Sequence, residues 1–269
     1  MPSRITISLV LTILLATPAG RAAPPTAEPE LGFLGPEDKR AFDARDTLAP
    51  GPESSADARD CLAGLTWAPE RFRVSCQTAR KGRGEVLLRF PSPVLTGDKD
   101  NDRVAVEWYV AGMDKGAARR SRAVVVIHES GRGMTVGRLF ARTLRQQGLH
   151  AFLVQLPGYG QRVGPGGRPS DDRFFDLLRQ AIGDVRRARD AIVALPLVDS
   201  SHVSLQGTSL GGFVVATSAS LDHGYDSVFV MLAGGNLYKM IQNGKRDTAK
   251  VRQKLTEAGI TGERLKQLA

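Results

Sequence analysis

Apolar and polar residues follow two different rhythms along this chain. Between Phe72 and Val110 the apolar positions come in short runs, Phe72–Cys76, Glu85–Phe90 and Arg103–Val110, separated by clusters of Gly, Pro, Asp and Asn. Runs broken in this way by turn-forming residues predict antiparallel opening strands. From Ala123 the rhythm changes. Ala123–Ile127 is a continuous β-branched run, the signature of a strand buried on both faces, and Ala151–Leu156 is a second such strand. Between them Val136, Leu139, Phe140 and Leu144 share one face of a helix over 136–147, with Gly148 placed to terminate it.

The alternation continues beyond the loop Pro157–Pro169. Ser170 is placed to cap a helix whose first turn carries Asp171 and Asp172, favourable to the helix dipole. The apolar face of that helix is Phe174, Leu178, Ile182, Val185 and Ile192; Arg186, Arg187 and Arg189 then point mostly outward, and Pro196 stops the element. Val203–Gln206 reads as the next strand, Phe213–Ser220 as a helix of small residues, and Ser227–Leu232 as another buried strand. Strands and helices taking turns predict an α/β class, a parallel sheet with helices on both faces.

The ends of the chain differ from this middle. Met1–Arg4 carries a basic side chain and Ile5–Ala16 is apolar but too short for a permanent membrane helix. This predicts a signal peptide over residues 1–22, cleaved after Ala22, and a secreted or periplasmic chain with no stable membrane span after cleavage. Residues 23–69 are expected to be a Pro-, Asp- and Glu-rich linker with one short helix from Pro36 towards Arg45. The core then occupies 70–236, and 237–269 forms a basic helical segment. From Tyr238 onward eight Lys or Arg face three Asp or Glu, a large part of the chain's net charge of +9. With one Tyr and no recognisable nucleic-acid motif, that segment reads as a solvated helical face, so no nucleic-acid partner is expected.

Export places Cys61 and Cys76 in an oxidising compartment, where they form either one disulfide closing a short loop or two unpaired buried thiols. No metal-ligand pattern stands out. Gly158-x-Gly160 runs into a Pro- and Gly-rich loop instead of a helix, and Gly244-Lys245 has no upstream glycine at P-loop spacing, so no cofactor is expected.

The chemistry concentrates at Gly207-Thr208-Ser209-Leu210-Gly211-Gly212, between the Val203 strand and the small-residue helix. A Gly-x-Ser-x-Gly that joins strand to helix holds its serine in a tight, strained turn with the hydroxyl lifted above the sheet edge. Together with IHESGRG at 127–133 and LPGYG at 156–160, in that order, the chain resembles the α/β-hydrolase family from about Arg71 to Asn236. Within the family it is similar to exported bacterial esterases near the acetyl xylan esterase and dienelactone hydrolase branches, although Gln155 stands where many relatives carry Asp and Glu129 where they carry Gly. The resemblance implies a three-layer α/β/α, mostly parallel sheet. It implies Ser209 as the nucleophile that forms an acyl-enzyme from a small-molecule or carbohydrate ester, with the backbone N–H of Leu210 as one oxyanion donor. The second donor then comes from the loop after the Ala123 strand, at Ser130 or alternatively Gly131.

The family also takes an acid and then a histidine from segments after the nucleophile. Only His223 follows Ser209, and fourteen helical residues would carry it roughly 20 Å away. His150 and His202 precede their strands and belong to the far edge, while His128 matches a structural histidine of the oxyanion loop. Asp222 and Asp226 flank the wrong end of the Ser227 strand, and Asp247 lies in the polar tail. The expectation is therefore a hydrolase sheet without its last strands, with 237–269 as the start of a lid, an apolar edge beside the Ser227 strand, and two triad members missing. A catalytically inert or non-catalytic exported binding protein is the alternative.

Overall fold

The computed structural model describes residues 40–115, 118–221, 223–234, 236–245 and 247–269; the segment assigned to a signal peptide and Asp222 lie outside them. Among the described residues eight strands form one sheet. They are β1 (Arg40–Arg45), β2 (Arg71–Thr78), β3 (Val86–Pro91), β4 (Arg103–Tyr109), β5 (Ser121–Ile127), β6 (His150–Gln155), β7 (Val198–Thr208) and β8 (Ser227–Met231). Their order is β1-β2-β3-β4-β6-β5-β7-β8. The leading strands pair antiparallel as far as β6, and β6, β5, β7 and β8 are parallel.

A short helix, α1 (Ala56–Leu62), lies between β1 and β2. Parallel neighbours need crossovers, and helices supply them: α2 (Thr135–Gln146) after β5, α3 (Phe174–Val193) after β6 and α4 (Leu210–Leu221) after β7. Successive side chains of a strand point to opposite faces. Val124 and Val126 accordingly pack with Ala141 and Leu153 in the α2 layer, while Ala123, Val125 and Ile127 join Ile182, Val185, Val214 and Val215 in the α3–α4 layer. No helix among the described residues is long and apolar enough to cross a membrane.

Several elements depart from the pattern-based expectation. Arg40–Arg45 is an edge strand, not the end of a helix from Pro36. Its register sets Phe42 opposite Val74 and Ala44 opposite Phe72, and Ala44 is buried, so pairing with β2 overrides the local helix signal. β8 is the other edge of the sheet, with Val228, Phe229 and Val230 all exposed; this matches the apolar edge expected beside the Ser227 strand and not the burial that its apolar run alone suggests. On α2, Leu139 is solvent-exposed and Gly137, Arg138 and Ala141 are buried instead. The turn of the helix is set by close contact at Gly137, where an added Cβ would meet His128 Cβ at 2.7 Å, and by Arg138, which reaches inward to Glu107. Ser170 does not cap a helix; its hydroxyl donates to Asp172 ahead of a 3₁₀ turn that leads into α3. Cys76 is a free thiol, 2% exposed, and burial pushes its pKa up to about 11.

The largest departure concerns α3. Arg186 and Arg187, expected to face outward, are each 1% exposed. The segment after β1 covers the outer side of α3 and brings carboxylates with it. Arg187 donates Nε to Asp46 Oδ1 at 2.9 Å and Nη2 to Asp46 Oδ2 at 2.6 Å, a bidentate pair, and Asp46 also accepts from Trp67 Nε1 at 2.9 Å. Arg186 pairs with Asp190 at 3.0 Å, and Asp190 in turn accepts the N–H and hydroxyl of Thr47. A third buried guanidinium, Arg162 in the 157–169 loop, donates to Asp184 of α3 at 2.6 Å and to the Gln155 carbonyl at 3.1 Å.

Two buried histidines tie the ends of the parallel strands. At the N-terminal edge His150 Nδ1 accepts from Trp108 Nε1 and from the Ala111 N–H, while its Nε2 faces the carbonyls of Arg119 and Leu197. At the C-terminal edge His128 bridges the loops after β5 and β6. Burial lowers both pKa values from 6.5 to about 4.

Two outcomes are expected. Removing one partner of a fully buried ion pair leaves the other charge stranded, so Asp46→Ala should lower the unfolding free energy by about 3–5 kcal/mol in urea titration. The histidines take up protons more readily in the unfolded chain, so their contribution is complete above pH 6.5 and is lost as pH falls towards 4. The urea midpoint should therefore drop between pH 7 and pH 4 by the equivalent of about 3 kcal/mol per histidine, and His150→Gln should flatten that dependence.

Candidate active site

The C-terminal edge of the parallel strands gathers the sequence motifs. Ile127 is in register with Val154 of β6 on one side and Gly207 of β7 on the other. The loops that follow β5, β6 and β7 consequently leave the sheet side by side, with the loop after β5 in the middle.

Ser209 stands between the end of β7 and the start of α4 with φ of 54°, in the left-handed region. That conformation costs a non-glycine residue on the order of 1–3 kcal/mol and persists only where the surroundings impose it. Here the Ser209 N–H donates to the Met231 carbonyl at 2.8 Å, prolonging the β7–β8 ladder, and its own carbonyl accepts the Gly212 N–H at 2.8 Å, opening the helix. The flanking glycines are required by close approach. A Cβ on Gly211 would lie 2.5 Å from the Ile127 carbonyl oxygen and 2.6 Å from that of His128. One on Gly207 would run into the Gly211 carbonyl, and one on Gly212 would meet Ala233 Cβ at 2.6 Å. The first turn of α4 thus rests on the end of β5 and the root of its loop. Leu210 is the first residue of α4, where a backbone N–H has no intrahelical partner and the helix dipole favours negative charge.

The loop from His128 to Met134 is fixed along its length. His128 Nδ1–H donates to the Glu129 carbonyl at 2.6 Å, and Nε2 accepts the Leu156 N–H at 3.0 Å. Both ring nitrogens are committed, so the ring holds the loop and has no lone pair for a serine proton. The Glu129 carboxylate accepts the N–H groups of Val136 and Gly137 at 3.1 Å each, capping α2. The Ser130 carbonyl accepts the Tyr159 hydroxyl at 3.0 Å, and the Gly133 carbonyl accepts Arg138 Nη1. Arg138 is held in turn by Glu107, at 3.0 Å through Nε and 2.6 Å through Nη2. Gln155 donates to the same carboxylate at 2.9 Å and accepts the Gln161 N–H at 2.7 Å. Glu107 is 1% exposed, and burial pushes its pKa up to about 7. Pattern reasoning missed Glu129, Glu107, Arg138 and Tyr159 as supports of this loop; the one available signal was Glu107, a charged residue inside the otherwise apolar run of β4.

The structure places Ser209, Leu210 and the Ser130–Gly131 loop at one edge of the sheet. It does not bring the remaining histidines there. His202 is exposed near the start of β7, 3.0 Å from Asp199 Oδ2. Asp226 accepts the Val203 N–H at 2.7 Å at that same far edge, and His223 follows the end of α4, exposed. Among the described residues no three His, Cys, Asp or Glu side chains stand together as a metal site. The basic C-terminal segment forms three helices, α5 (Leu237–Asn243), α6 (Asp247–Glu257) and α7 (Gly262–Leu268). Ile241, Leu255, Ile260 and Leu265 build a small core of their own against Phe175, near the start of α3 and on the Ser209 side of the sheet.

No protein-family model and no curated protein matches the sequence. Solved structures do. Acetyl xylan esterase 1 from a Thermoanaerobacterium species superposes with a TM-score of 0.55 at 14% identity, over 82% of this chain and 73% of that one. An acetyl xylan esterase from a Paenibacillus species gives a TM-score of 0.55 at 16% identity, over 82% of this chain and 74% of that one. Parallel strands joined by helices on both faces, a left-handed serine where the third crossover begins, and these likenesses together show that the chain has the α/β-hydrolase fold.

Proposed function

We propose that this chain is an exported serine hydrolase that cleaves carboxylic esters of small molecules or carbohydrates through an acyl-enzyme on Ser209. The observation that carries this reading is the left-handed conformation of Ser209, imposed by β8 on one side and by glycine-only contacts on the other. Ser209 Oγ adds to the ester carbonyl carbon and the carbonyl π pair moves to oxygen, where the N–H of Leu210 and one from the Ser130–Gly131 loop receive the charge. The carbon–oxygen bond to the alcohol then breaks, and the alcohol departs with the serine proton. Water attacks the acyl-enzyme in the same way, releases the acid and restores the hydroxyl. Each preorganised oxyanion donor contributes about 3 kcal/mol to such a step. The fold is shared with enzymes named as acetyl xylan esterases, which supports an acylated carbohydrate as the substrate class. The α5–α7 helices, on the Ser209 side of the sheet, are the proposed lid.

A second reading, an inert member of the fold, is favoured by one observation: among the described residues every histidine is either committed to backbone partners or placed at the opposite edge. Treatment of the full chain with a fluorophosphonate separates the two, because covalent capture requires an activated serine. One label per chain, mapped to Ser209 and lost in Ser209→Ala, is expected; a wild-type chain that stays unlabelled would establish the inert reading.

Gly211→Ala tests the geometry. Pushing α4 away from the Ile127 carbonyl displaces the nucleophile, and a shift of about 1 Å costs about 100-fold in rate. Labelling should slow by about that factor, whereas Gly234→Ala, where a Cβ meets nothing within 4 Å, should label as the wild type does.

A further inference from the structure

Tyr159, in the loop after β6, is 8% exposed and is held on three sides. Its ring meets His128 edge-on with centroids 4.7 Å apart, the Arg168 guanidinium lies over the ring 4.4 Å from its centroid, and its hydroxyl donates to the Ser130 carbonyl at 3.0 Å. That last bond fixes a peptide plane. No cis bond occurs among the described residues, so the Gly131 N–H is antiparallel to the Ser130 carbonyl. The strand order gives the direction. β6 and β7 flank β5, Tyr159 follows β6, and Ser209 follows β7. A Ser130 carbonyl drawn to the β6 side turns the Gly131 N–H to the β7 side, where Ser209 stands. The preceding peptide is held in the same sense, because the Glu129 carbonyl accepts from His128, whose ring is itself bonded to the Leu156 N–H after β6. Two consecutive N–H groups aimed to one side form a concave anion receptor.

We infer that Tyr159 is a positioning residue of the oxyanion site: through the Ser130 carbonyl its hydroxyl aims the Gly131 N–H, alongside that of Ser130, at the charge that develops on an ester bound to Ser209. The inference deepens the proposed function and rests on it. Tyr159 touches no reacting atom; it acts by holding a donor in place before the charge appears.

Tyr159→Phe keeps the ring and its contacts with His128 and Arg168 and removes only the hydroxyl, so the fold is not at stake. Losing an oxyanion donor outright lowers rates by about 10²–10³, and releasing its aim should cost about tenfold. In fluorophosphonate labelling of the full chain, the bond-forming rate at Ser209 should fall by about that factor while the reversible affinity for the probe stays unchanged. Amide hydrogen exchange at Gly131, measured by NMR, should quicken in the same variant. A Tyr159→Phe chain that labels at the wild-type rate, or loses probe affinity instead of rate, overturns the inference and leaves the role of Ser209 intact. Unchanged exchange at Gly131 overturns it as well. A wild-type chain that does not label at all removes the proposed function, and the inference with it.

Discussion

Helix α4 begins where its backbone lies against the last carbonyls of β5, closer than any side chain would permit. Gly211 makes that approach possible: a Cβ there would stand 2.5 Å from the Ile127 oxygen. The contact sets the distance between the turn that carries Ser209 and the loop that leaves β5, and so decides whether the N–H groups of both can face one space. Because β5, β6 and β7 are parallel and in register, all three of their following loops emerge at that edge. The site is a consequence of strand direction plus one missing methyl group.

Around that contact the loop after β5 is built as a rigid piece. Its carbonyls are held by His128, Tyr159 and Arg138, and its one carboxylate is used to start α2. Arg138 is itself locked by Glu107, whose buried carboxylate also receives Gln155 and Tyr109. Polar groups this deep are stable only when each has a partner, and the same requirement that satisfies them removes the loop's freedom. His128 illustrates the trade. Both of its nitrogens are consumed by backbone groups, which makes it a strut and disqualifies it as a base.

A second set of buried charges ties the antiparallel end of the sheet to α3. Arg187 with Asp46, and Arg186 with Asp190 and Thr47, join the segment after β1 to a helix that also packs on the sheet. Pairs of this kind add little net stability but penalise any arrangement that separates them. They fix where the segment after β1 must lie, and with it the edge strand that the segment carries.

The periodic middle of the chain was legible as sequence: β5, β6, the later part of β7, α2, α3 and α4 follow from apolar runs and helical spacing, and the Gly-x-Ser-x-Gly signature located Ser209 between a strand and a helix. Those signals are local, since period 2 and period 3.6 depend only on neighbouring residues and on which face meets a core. What the tertiary structure alone decided depends on partners distant along the chain. Arg186 and Arg187 read as solvent-facing because nothing nearby in sequence announces Thr47 and Asp46, about 140 positions earlier. Arg40–Arg45 read as helical because its pairing with β2 is invisible in its own composition. Ser130, Gly131 and Tyr159 belong to two loops whose spacing in sequence is arbitrary; only the register of β5 with β6 brings the hydroxyl of one to the carbonyl of the other. The sequence by itself determined which residues of the parallel core form strands, helices and the serine turn, since short-range sterics and hydrophobic period settle these. Which charges are buried and which loops meet at the Ser209 edge were decided by packing, because each is a property of two segments at once.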